Sequence, residues 1–233
     1  MNRDEINKKF NFGRYLLATG PWYRQNDYAD PNVKPFLFDP DKAKALLKED
    51  GWVDTDKDGI LDKMIDGKKR NFAFTMIYSY KAIEKWWILY QGDLKKAGID
   101  MKLQYLEWNS FIDKVDNSDF EATTLVWSGS VKPDPKQIWH SSGAVKGGSN
   151  FIHYKNPTVD KLIDSARKEL DMEKRKSALQ KVYRTIAADA PYVFLFNAKF
   201  IHYATREEVD KPKPTFTYEL GRQYWSEKSN SLN

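Results

Sequence analysis

Carboxylates alternate with other residues from position 54 onward and form the sharpest chemical motif of the sequence, DTDKDGILD at 54–62. Calcium loops of the EF-hand type place carboxylates at positions 1, 3 and 5, a Gly at 6, a backbone carbonyl at 7 and another oxygen ligand at 9. Gly59 stands at the sixth position here. The candidate calcium ligands are therefore Asp54, Asp56, Asp58, the carbonyl of Ile60, and Asp62.

The match ends before the last position of such a loop. Position 12 holds Ile65 where an EF-hand has a bidentate Glu, and Asp66 comes one residue late. The alternative interpretation is a surface loop in which Asp side chains and Gly satisfy backbone N–H groups through Asx turns. If a cation binds, we expect a structural calcium, and we expect no required cofactor.

Other residue types with catalytic potential form no arrangement typical of an enzyme. The sequence contains no Cys, which excludes disulfides, thiolate metal sites and a Cys nucleophile. The three His residues, at 140, 153 and 202, lack partners at the spacing of a zinc site. Ser165 and Lys168 fit a Ser-x-x-Lys pattern, but they lie inside a predicted amphipathic helix. We therefore expect a protein that is not an enzyme.

Aromatic residues are frequent, since 8 Trp, 13 Tyr and 13 Phe make up 15% of the 233 residues. Aromatics at this density suit a large core or a wall that stacks on a ligand. The net charge of +5 comes from 38 basic and 33 acidic residues that are interspersed, so we expect no nucleic-acid partner. No run is long and apolar enough for a membrane helix or a signal peptide, so we expect no membrane insertion and no targeting signal in this chain.

Hydrophobic periodicity predicts a mixed α/β fold. Residues 1–30 carry no sustained period and are expected to be irregular. The predicted helices lie at about 40–50, 81–97, 109–115, 157–170 and after the capping residue Asp171, and the predicted strands at 72–78, 101–105, 122–127 and 192–196. The helix at 81–97 is long enough to connect two parallel strands by a right-handed crossover. The strand at 192–196 is apolar throughout and is expected in the centre of a sheet.

The end of the strand predicted at 122–127 is the best candidate for a ligand site. In an open α/β sheet, ligands collect beyond the carboxyl ends of the strands. The candidate ligand-binding residues at this junction and in the loop after it are Trp127, Ser128, Gly129, Ser130, Trp139 and Asn150. The alternative for Trp127 is an ordinary core position, with the small residues after it only turning the chain.

An ordered series of segments resembles the type-5 extracellular solute-binding proteins, the dipeptide-, oligopeptide- and nickel-binding group of ABC importers. The segments are FDPDKAKALL (38–47) with GW (51–52), DTDKDGILDK (54–63), DLKKAGID (93–100), Trp127 with PDP (133–135) and Trp139, Asn150 with YKNP (154–157) and VD (159–160), and APY (190–192). The resemblance implies one lobe of a periplasmic-binding-protein-like, two-lobed type II clamp. That lobe is expected to be α/β, with a mixed sheet and helices on both faces.

The resemblance also implies a domain organisation, because family members have two lobes and are about twice this length. Residues 1–30 would arrive from a missing first lobe, residues 31–198 would form the C-terminal α/β lobe, and residues 199–233 would return toward the first lobe. The chain is then expected to be a fragment. Loss of the partner lobe is expected to expose an aromatic, partly apolar surface.

The function that the resemblance implies is capture of a solute by closure of two lobes, without catalysis. The expected partners are a peptide or other small-molecule ligand and the membrane subunits of an ABC importer. The full-length protein is expected in the periplasm or attached to the cell surface. The alternative function is a stand-alone calcium-stabilised interaction module without a transport role.

The ligand expectation turns on Ser130. In the family's peptide binders, a Trp-x-x-Asp turn supplies a carboxylate to the peptide's amino terminus, and Ser130 stands at the place of that Asp. Serine supplies no charge, and a charged hydrogen bond is about twice as strong as a neutral one. Blocked peptides, sugars, another polar solute, or a peptide anchored by Asp134 are therefore open alternatives to a free-amine peptide.

Overall fold

The computed structural model describes residues 1–129, 132–200, 204–213 and 222–228. The α-helices are α1 (Arg3–Asn11), α2 (Pro40–Glu49), α3 (Glu84–Lys96), α4 (Trp108–Asp116), α5 (Lys136–Trp139), α6 (Pro157–Lys168) and α7 (Met172–Asp189). The strands are β1 (Tyr15–Leu17), β2 (Asp62–Ile65), β3 (Lys68–Asn71), β4 (Ala73–Tyr78), β5 (Asp100–Tyr105), β6 (Ala122–Thr123), β7 (Phe196–Ala198), β8 (Val209–Asp210) and β9 (Ser226–Glu227).

The chain divides into two compact units, Met1–Asn197 and Ala198–Asn233. In the second unit, β8 and β9 form a short antiparallel pair. No helix in the described ranges is long and apolar enough to cross a membrane.

The first unit contains a three-stranded parallel sheet, in the order β5-β4-β6. Its strands end at one edge, where Tyr78 of β4 is paired with Tyr105 of β5. Helix α3 connects β4 to β5, as the sequence predicts for a crossover. The antiparallel pairing expected of a mixed sheet is found apart from it, in the β2–β3 hairpin.

Alternate side chains of β4 bury opposite faces of this sheet, as the period of two requires. Met76 and Tyr78 pack against Trp87 of α3, whereas Ile77 packs against Phe111 and other residues of α4. Helices therefore cover both faces of the sheet, which confirms the predicted α/β lobe.

Helices α6 and α7 form an antiparallel hairpin with a core of its own, which we call the hairpin core: Trp139, Val159, Ile163, Val182 and Ile186. The side chain of Asn156 caps α6, with Pro157 in the first turn. Asp171 caps α7 by accepting hydrogen bonds from two backbone N–H groups. These caps lie where the sequence predicts the two helices to begin.

Two predicted strands differ from the structure. The strand expected at 122–127 ends after Thr123: only Ala122 and Thr123 pair with β4, and Val126 is 92% exposed. The apolar run at 192–196 is not a central strand. Tyr192 and Phe194 pack against the hairpin core, and Leu195 packs beneath α3, so their hydrophobic character reflects burial against helices.

The expectation that residues 1–30 are irregular was wrong in part. They contain α1, capped by the side chain of Asn2, and strand β1, which pairs with β7. Ile6 is completely buried, while most other side chains of α1 are polar. A helix with so few apolar residues produces no sustained period, which explains why the sequence did not predict it.

Candidate functional site

Exposed aromatic side chains collect at the edge where the three parallel strands end. We call this surface the carboxyl edge and define it as residues 78–84, 105–108 and 124–129. Tyr80 follows β4 and is exposed, Trp108 follows β5 and is 60% exposed, and Trp127 follows β6 and is 38% exposed. Large apolar groups left in water at one place mark a surface that binds something.

Carboxylates and a lysine lie among these rings. The Tyr78 hydroxyl donates a hydrogen bond to Glu84, and burial together with this bond raises the pKa of Tyr78 to about 12. The Tyr105 hydroxyl donates to Glu107 at 3.0 Å, and the Lys81 ammonium lies 4.1 Å from the centre of the Tyr105 ring. The carboxyl edge therefore offers stacking surfaces, hydrogen-bond acceptors and one cation to a polar solute.

Trp127 stacks on a ring from the loop after α5. The Trp127 and Phe151 rings lie at a centroid distance of 5.7 Å and an interplanar angle of 11°. Phe151 packs in turn against Ile77, Phe111 and Val115, beneath α4. Tyr192 packs against the hairpin core, and burial raises its pKa to about 12.

The predicted residues next to Trp127 lie on the surface where they are described. Ser128 and Gly129 are exposed, and a Cβ atom added at Gly129 would meet nothing within 4 Å. Ser130 lies outside the described residues, so its place at a ligand stays a prediction.

Trp139 and Asn150 do not face an open surface, in contrast to the expectation that they line a cleft. Trp139 is 2% exposed in the hairpin core, with its ring centroid 4.7 Å from that of Tyr192. Asn150 is 1% exposed, and its side chain bonds the carbonyl of His140 and both backbone polar groups of Tyr154 at 2.8–3.2 Å. Both side chains have structural roles in holding the loop that carries Phe151. Burial leaves them no surface for a solute.

The acidic loop at 54–62 only partly matches the predicted calcium site. Asp54, Asp56 and Asp58 are exposed, and each offers a carboxylate oxygen within 4.8 Å of the others. Asp54 also accepts hydrogen bonds from the backbone N–H groups of Asp58 and Gly59, as in an Asx turn. Three of the predicted ligands therefore converge; at the seventh position, Ile60 donates its backbone N–H to Asp58 at 2.8 Å.

Asp62, the fourth predicted carboxylate ligand, has turned away from this cluster. It is buried and accepts hydrogen bonds from the backbone and hydroxyl of Thr55. The Lys69 ammonium lies 3.3 Å from Asp62 and also contacts Asp56. Burial alone would raise the pKa of Asp62, but the bonds from Thr55 and Lys69 outweigh it, so the pKa is lowered. Lys69 thus supplies positive charge at one side of the loop.

The sequence profile of the bacterial extracellular solute-binding proteins, family 5, middle region, matches residues 1–149. The chain belongs to this family. It is 40% identical over 169 residues to the oligopeptide-binding protein AppA of Bacillus subtilis, covering 72% of this chain and 31% of AppA. It is 30% identical over 184 residues to protein XP55 of Streptomyces lividans, covering 77% and 31% of the two chains. The chain therefore spans about a third of the length of these curated relatives.

Solved structures of family 5 binding proteins share the fold. Bacillus subtilis AppA in complex with a nonapeptide superposes with a TM-score of 0.81 at 31% identity, over 97% of this chain and 45% of AppA. The oligopeptide-binding protein of Thermus thermophilus complexed with a pentapeptide gives 0.75 at 25% identity, over 84% and 36%. These neighbours are type II periplasmic binding proteins, which confirms the predicted family and fold class.

Several residues at the carboxyl edge of this family 5 lobe were not predicted as site residues. Tyr80 and Trp108 directly follow strands that the sequence does predict, so the rule applied to Trp127 would have named them too. Phe151 had no such signal. It approaches Trp127 from a distant part of the chain, and its ring packs against Phe111 and Val115 of α4.

Proposed function

We propose that this chain is part of the solute-binding subunit of an ABC importer and captures a peptide-like or other polar solute by closure of two lobes. The observation that carries the proposal is the carboxyl edge, where three aromatic side chains stand exposed in a lobe of the family 5 fold. A second lobe closing over this edge would bury their surface together with the solute. The membrane subunits of the importer are the proposed protein partners, and the periplasm or the cell surface is the proposed location.

A peptide-like solute is supported by the chemistry of the edge. Trp108 and Trp127 can stack on side chains or peptide planes, while Glu84, Glu107 and Lys81 can engage polar groups. The solved relatives AppA and the Thermus protein hold peptides, in keeping with this chemistry. The subunit binds its solute without catalysis.

The test uses the longest natural form of the protein that contains this chain. We expect native mass spectrometry to find a bound solute after gentle purification, and calorimetry to detect binding of a nonapeptide. The peptide's mass should stay unchanged after long incubation. Failure to bind any of a nonapeptide, its N-acetylated form or a hexasaccharide would contradict the proposal, and so would cleavage of the peptide.

Variants connect this binding to the carboxyl edge. Trp108→Ala should weaken peptide binding about tenfold or more, because stacking and apolar contact are lost. Ile88→Ala is the control, since Ile88 is exposed on α3 away from the edge. Equal affinities of the two variants would show that Trp108 does not touch the solute.

Ser130 permits a direct test of what the solute presents to the turn after Trp127. We expect Ser130→Asp to strengthen binding of a free-amine nonapeptide and to leave its N-acetylated form unchanged, because a carboxylate adds a charged hydrogen bond to an ammonium. An unchanged affinity for the free-amine peptide would show that this position does not face the amine.

The alternative, a calcium-stabilised interaction module, draws support from the convergence of Asp54, Asp56 and Asp58. That convergence supports a bound cation but does not argue against a transport role, since a structural calcium is compatible with a binding subunit. The proposal of a solute-binding subunit therefore takes precedence, and calcium is tested separately below.

A further inference from the structure

We propose that the Tyr105 ring and the Glu107 carboxylate bind a positively charged group of the solute, and that the Lys81 ammonium occupies the ring until the solute replaces it. The inference rests on the proposed function, because it takes the carboxyl edge as the surface that meets the solute. It narrows the solute to one that carries an ammonium or guanidinium group. Glu107 is then a specificity-determining residue of the binding subunit.

The carboxyl edge is acidic in a basic chain. Its charged residues are Glu84, Glu107 and Lys81, whereas the whole chain carries a net charge of +5. Glu84 is half-buried in the first turn of α3, where the positive end of the helix dipole stabilises a carboxylate. Glu107 is exposed, so it is the carboxylate of this edge that a solute can reach.

Helix capping does not explain Glu107. It stands at the N-cap of α4, where Ser, Thr, Asp and Asn are preferred because their short side chains bond the first turn. The Glu107 side chain makes no such bond, and its Oε1 instead accepts the Tyr105 hydroxyl at 3.0 Å. This hydrogen bond raises the pKa of Tyr105, so the hydroxyl stays a donor at neutral pH. Within the described ranges, Oε2 of Glu107 accepts no hydrogen bond and is left for a solute.

The Tyr105 ring already holds a cation. The Lys81 ammonium lies 4.1 Å from the ring centre, inside the distance of about 6 Å over which an aromatic face attracts a positive charge. Lys81 is exposed and, among the residues that the structure describes, forms no ion pair with a carboxylate. The ring face therefore accepts a cation, and the side chain that now occupies it is free to leave.

A solute cation gains more at this place than Lys81 does. Lys81 contacts the ring but forms no ion pair with Glu107, whereas a solute ammonium can contact the ring and Oε2 of Glu107 together. A hydrogen bond between charged groups is about twice as strong as a neutral one. Closure of a second lobe would also remove water from Glu107, and a buried carboxylate without a partner is costly. A neutral solute would leave Glu107 unpaired.

The first experiment needs no ligand. In the longest natural form of the protein, labelled with ¹³C-lysine, Lys81→Gln would assign the Lys81 side-chain signals. We expect the Cε protons of Lys81 to resonate upfield of those of Lys102, an exposed lysine of β5 outside the carboxyl edge, because the Tyr105 ring current shields them. Tyr105→Leu should abolish this shift. A Lys81 signal that does not respond to Tyr105→Leu would refute the contact in solution.

The second experiment measures affinity by calorimetry for two pairs of peptides. Penta-alanine and its N-acetylated form differ in the terminal ammonium. Two N-acetylated, C-amidated pentapeptides of alanine with lysine or norleucine at the centre differ in a side-chain ammonium. Glu107→Gln keeps an acceptor for the Tyr105 hydroxyl but removes the charge, so it should weaken binding of the ammonium-bearing member of at least one pair about fivefold to tenfold. The neutral member should change less than about twofold, and the pair that responds identifies the source of the cation.

Lys81→Gln should have the opposite effect and strengthen binding of the same ammonium-bearing peptide about twofold to fivefold, because the competing cation is gone. Glu49→Gln and Lys102→Gln are the matched controls, since both residues are exposed outside the carboxyl edge, and neither should alter either affinity. Weaker binding in Lys81→Gln would overturn the inference. Equal losses of the charged and the neutral peptide in Glu107→Gln would also overturn it, because a merely structural role does not distinguish them.

These measurements separate failure of the inference from failure of the proposed function. If the wild-type protein binds none of the four peptides, the proposed peptide binding fails and the inference fails with it. If the peptides bind and Glu107→Gln keeps the full preference for the ammonium-bearing member, the inference alone is refuted.

Discussion

The hairpin core and the carboxyl edge both contain aromatic residues, but these residues are buried in the first region and exposed in the second. In the hairpin core, Trp139 is enclosed by the rings of Tyr154, Tyr192 and Phe194 and by aliphatic side chains of both helices. At the carboxyl edge, Tyr80 and Trp108 stand in solvent. The difference teaches that an aromatic residue is structural or available to a ligand according to what closes over it.

The cause lies in the elements that follow each aromatic. Trp139 ends α5 and is covered by two long amphipathic helices whose apolar faces both need burial. Tyr80 and Trp108 stand where parallel strands end and the chain turns back over a sheet face, so no described element of this unit covers the edge itself. The edge is open because of topology rather than composition.

The sharpest test of this contrast compares Ile163→Ala with Trp108→Ala. Ile163 is fully buried in the hairpin core, so its truncation should lower the free energy of unfolding by about 2–5 kcal/mol. Trp108→Ala removes more atoms but from an exposed ring, and we expect a change of less than about 1 kcal/mol. Urea unfolding followed by circular dichroism measures both.

Leu170→Ala is the matched control for Ile163→Ala, because Leu170 is an aliphatic residue just after α6 and is exposed. It should behave as wild type. If Trp108→Ala costs as much as Ile163→Ala, the carboxyl edge is part of the stabilising core and the contrast between the two regions breaks.

The second test concerns the loop between the two regions. Asn150→Ala leaves three backbone groups, of His140 and Tyr154, without their buried partner. We expect a loss of about 1–3 kcal/mol in unfolding free energy, the cost of unsatisfied buried polar groups. Asn117→Ala, an exposed Asn at the end of α4, should cost less than about 0.5 kcal/mol. A wild-type stability for Asn150→Ala would show that water replaces the amide freely.

The sequence predicted the regular part of this fold, and the location of the candidate site stays a prediction. Helices α2, α6 and α7 begin where predicted, each after a capping side chain (Asp39, Asn156 and Asp171), and β4, α3 and β5 follow the predicted order, because caps and periodicity are local signals. The run at 192–196 was misassigned because an apolar run does not say whether a strand or a helix pair covers it.

The candidate site was predicted only where its residues are neighbours in the chain. Trp127 was found from the end of a strand, although that strand is shorter than expected. Its contact with Phe151 joins distant segments, and no local pattern predicts it. Trp139 and Asn150 were predicted to bind a ligand, but both are buried, and that burial depends on how α5 and the loop after it pack against α6 and α7.

The third prediction uses pH to test how charge is handled outside the hairpin core. Asp30 is buried and pairs with Arg184 of α7 at 2.6 Å. Burial alone would raise the pKa of Asp30, but hydrogen bonds from the Asn32 backbone and from Arg184 outweigh it and lower the pKa. A lowered pKa means that this pair stabilises the fold above the unfolded value of about 3.9 and that the contribution fades as pH falls through the folded pKa.

We therefore expect Asp30→Asn to be less stable than wild type at pH 7 and the difference to shrink as the pH falls below about 4. Urea unfolding at a series of pH values measures it, and Asp27→Asn, an exposed neighbour, should show no such convergence. A stability difference that stays constant down to about pH 3 would mean that Asp30 acts by packing rather than by its charge.

The smallest effect is expected at the acidic loop. It decides whether this loop is closed to a ligand, like the hairpin core, or available to one, like the carboxyl edge. If the Lys69 ammonium already neutralises these carboxylates, calcium should leave the melting temperature unchanged. The converging oxygens of Asp54, Asp56 and Asp58 favour the alternative, in which the loop can still bind a cation. For a millimolar site, we expect about 10 mM calcium to raise the melting temperature by about 3 °C, and the same concentration of magnesium to raise it less.

Asp56→Asn should abolish the rise and Asp66→Asn, in the neighbouring hairpin turn, should keep it. A rise that survives Asp56→Asn places calcium elsewhere, and no rise in wild type leaves Lys69 as the only counter-charge that the loop needs.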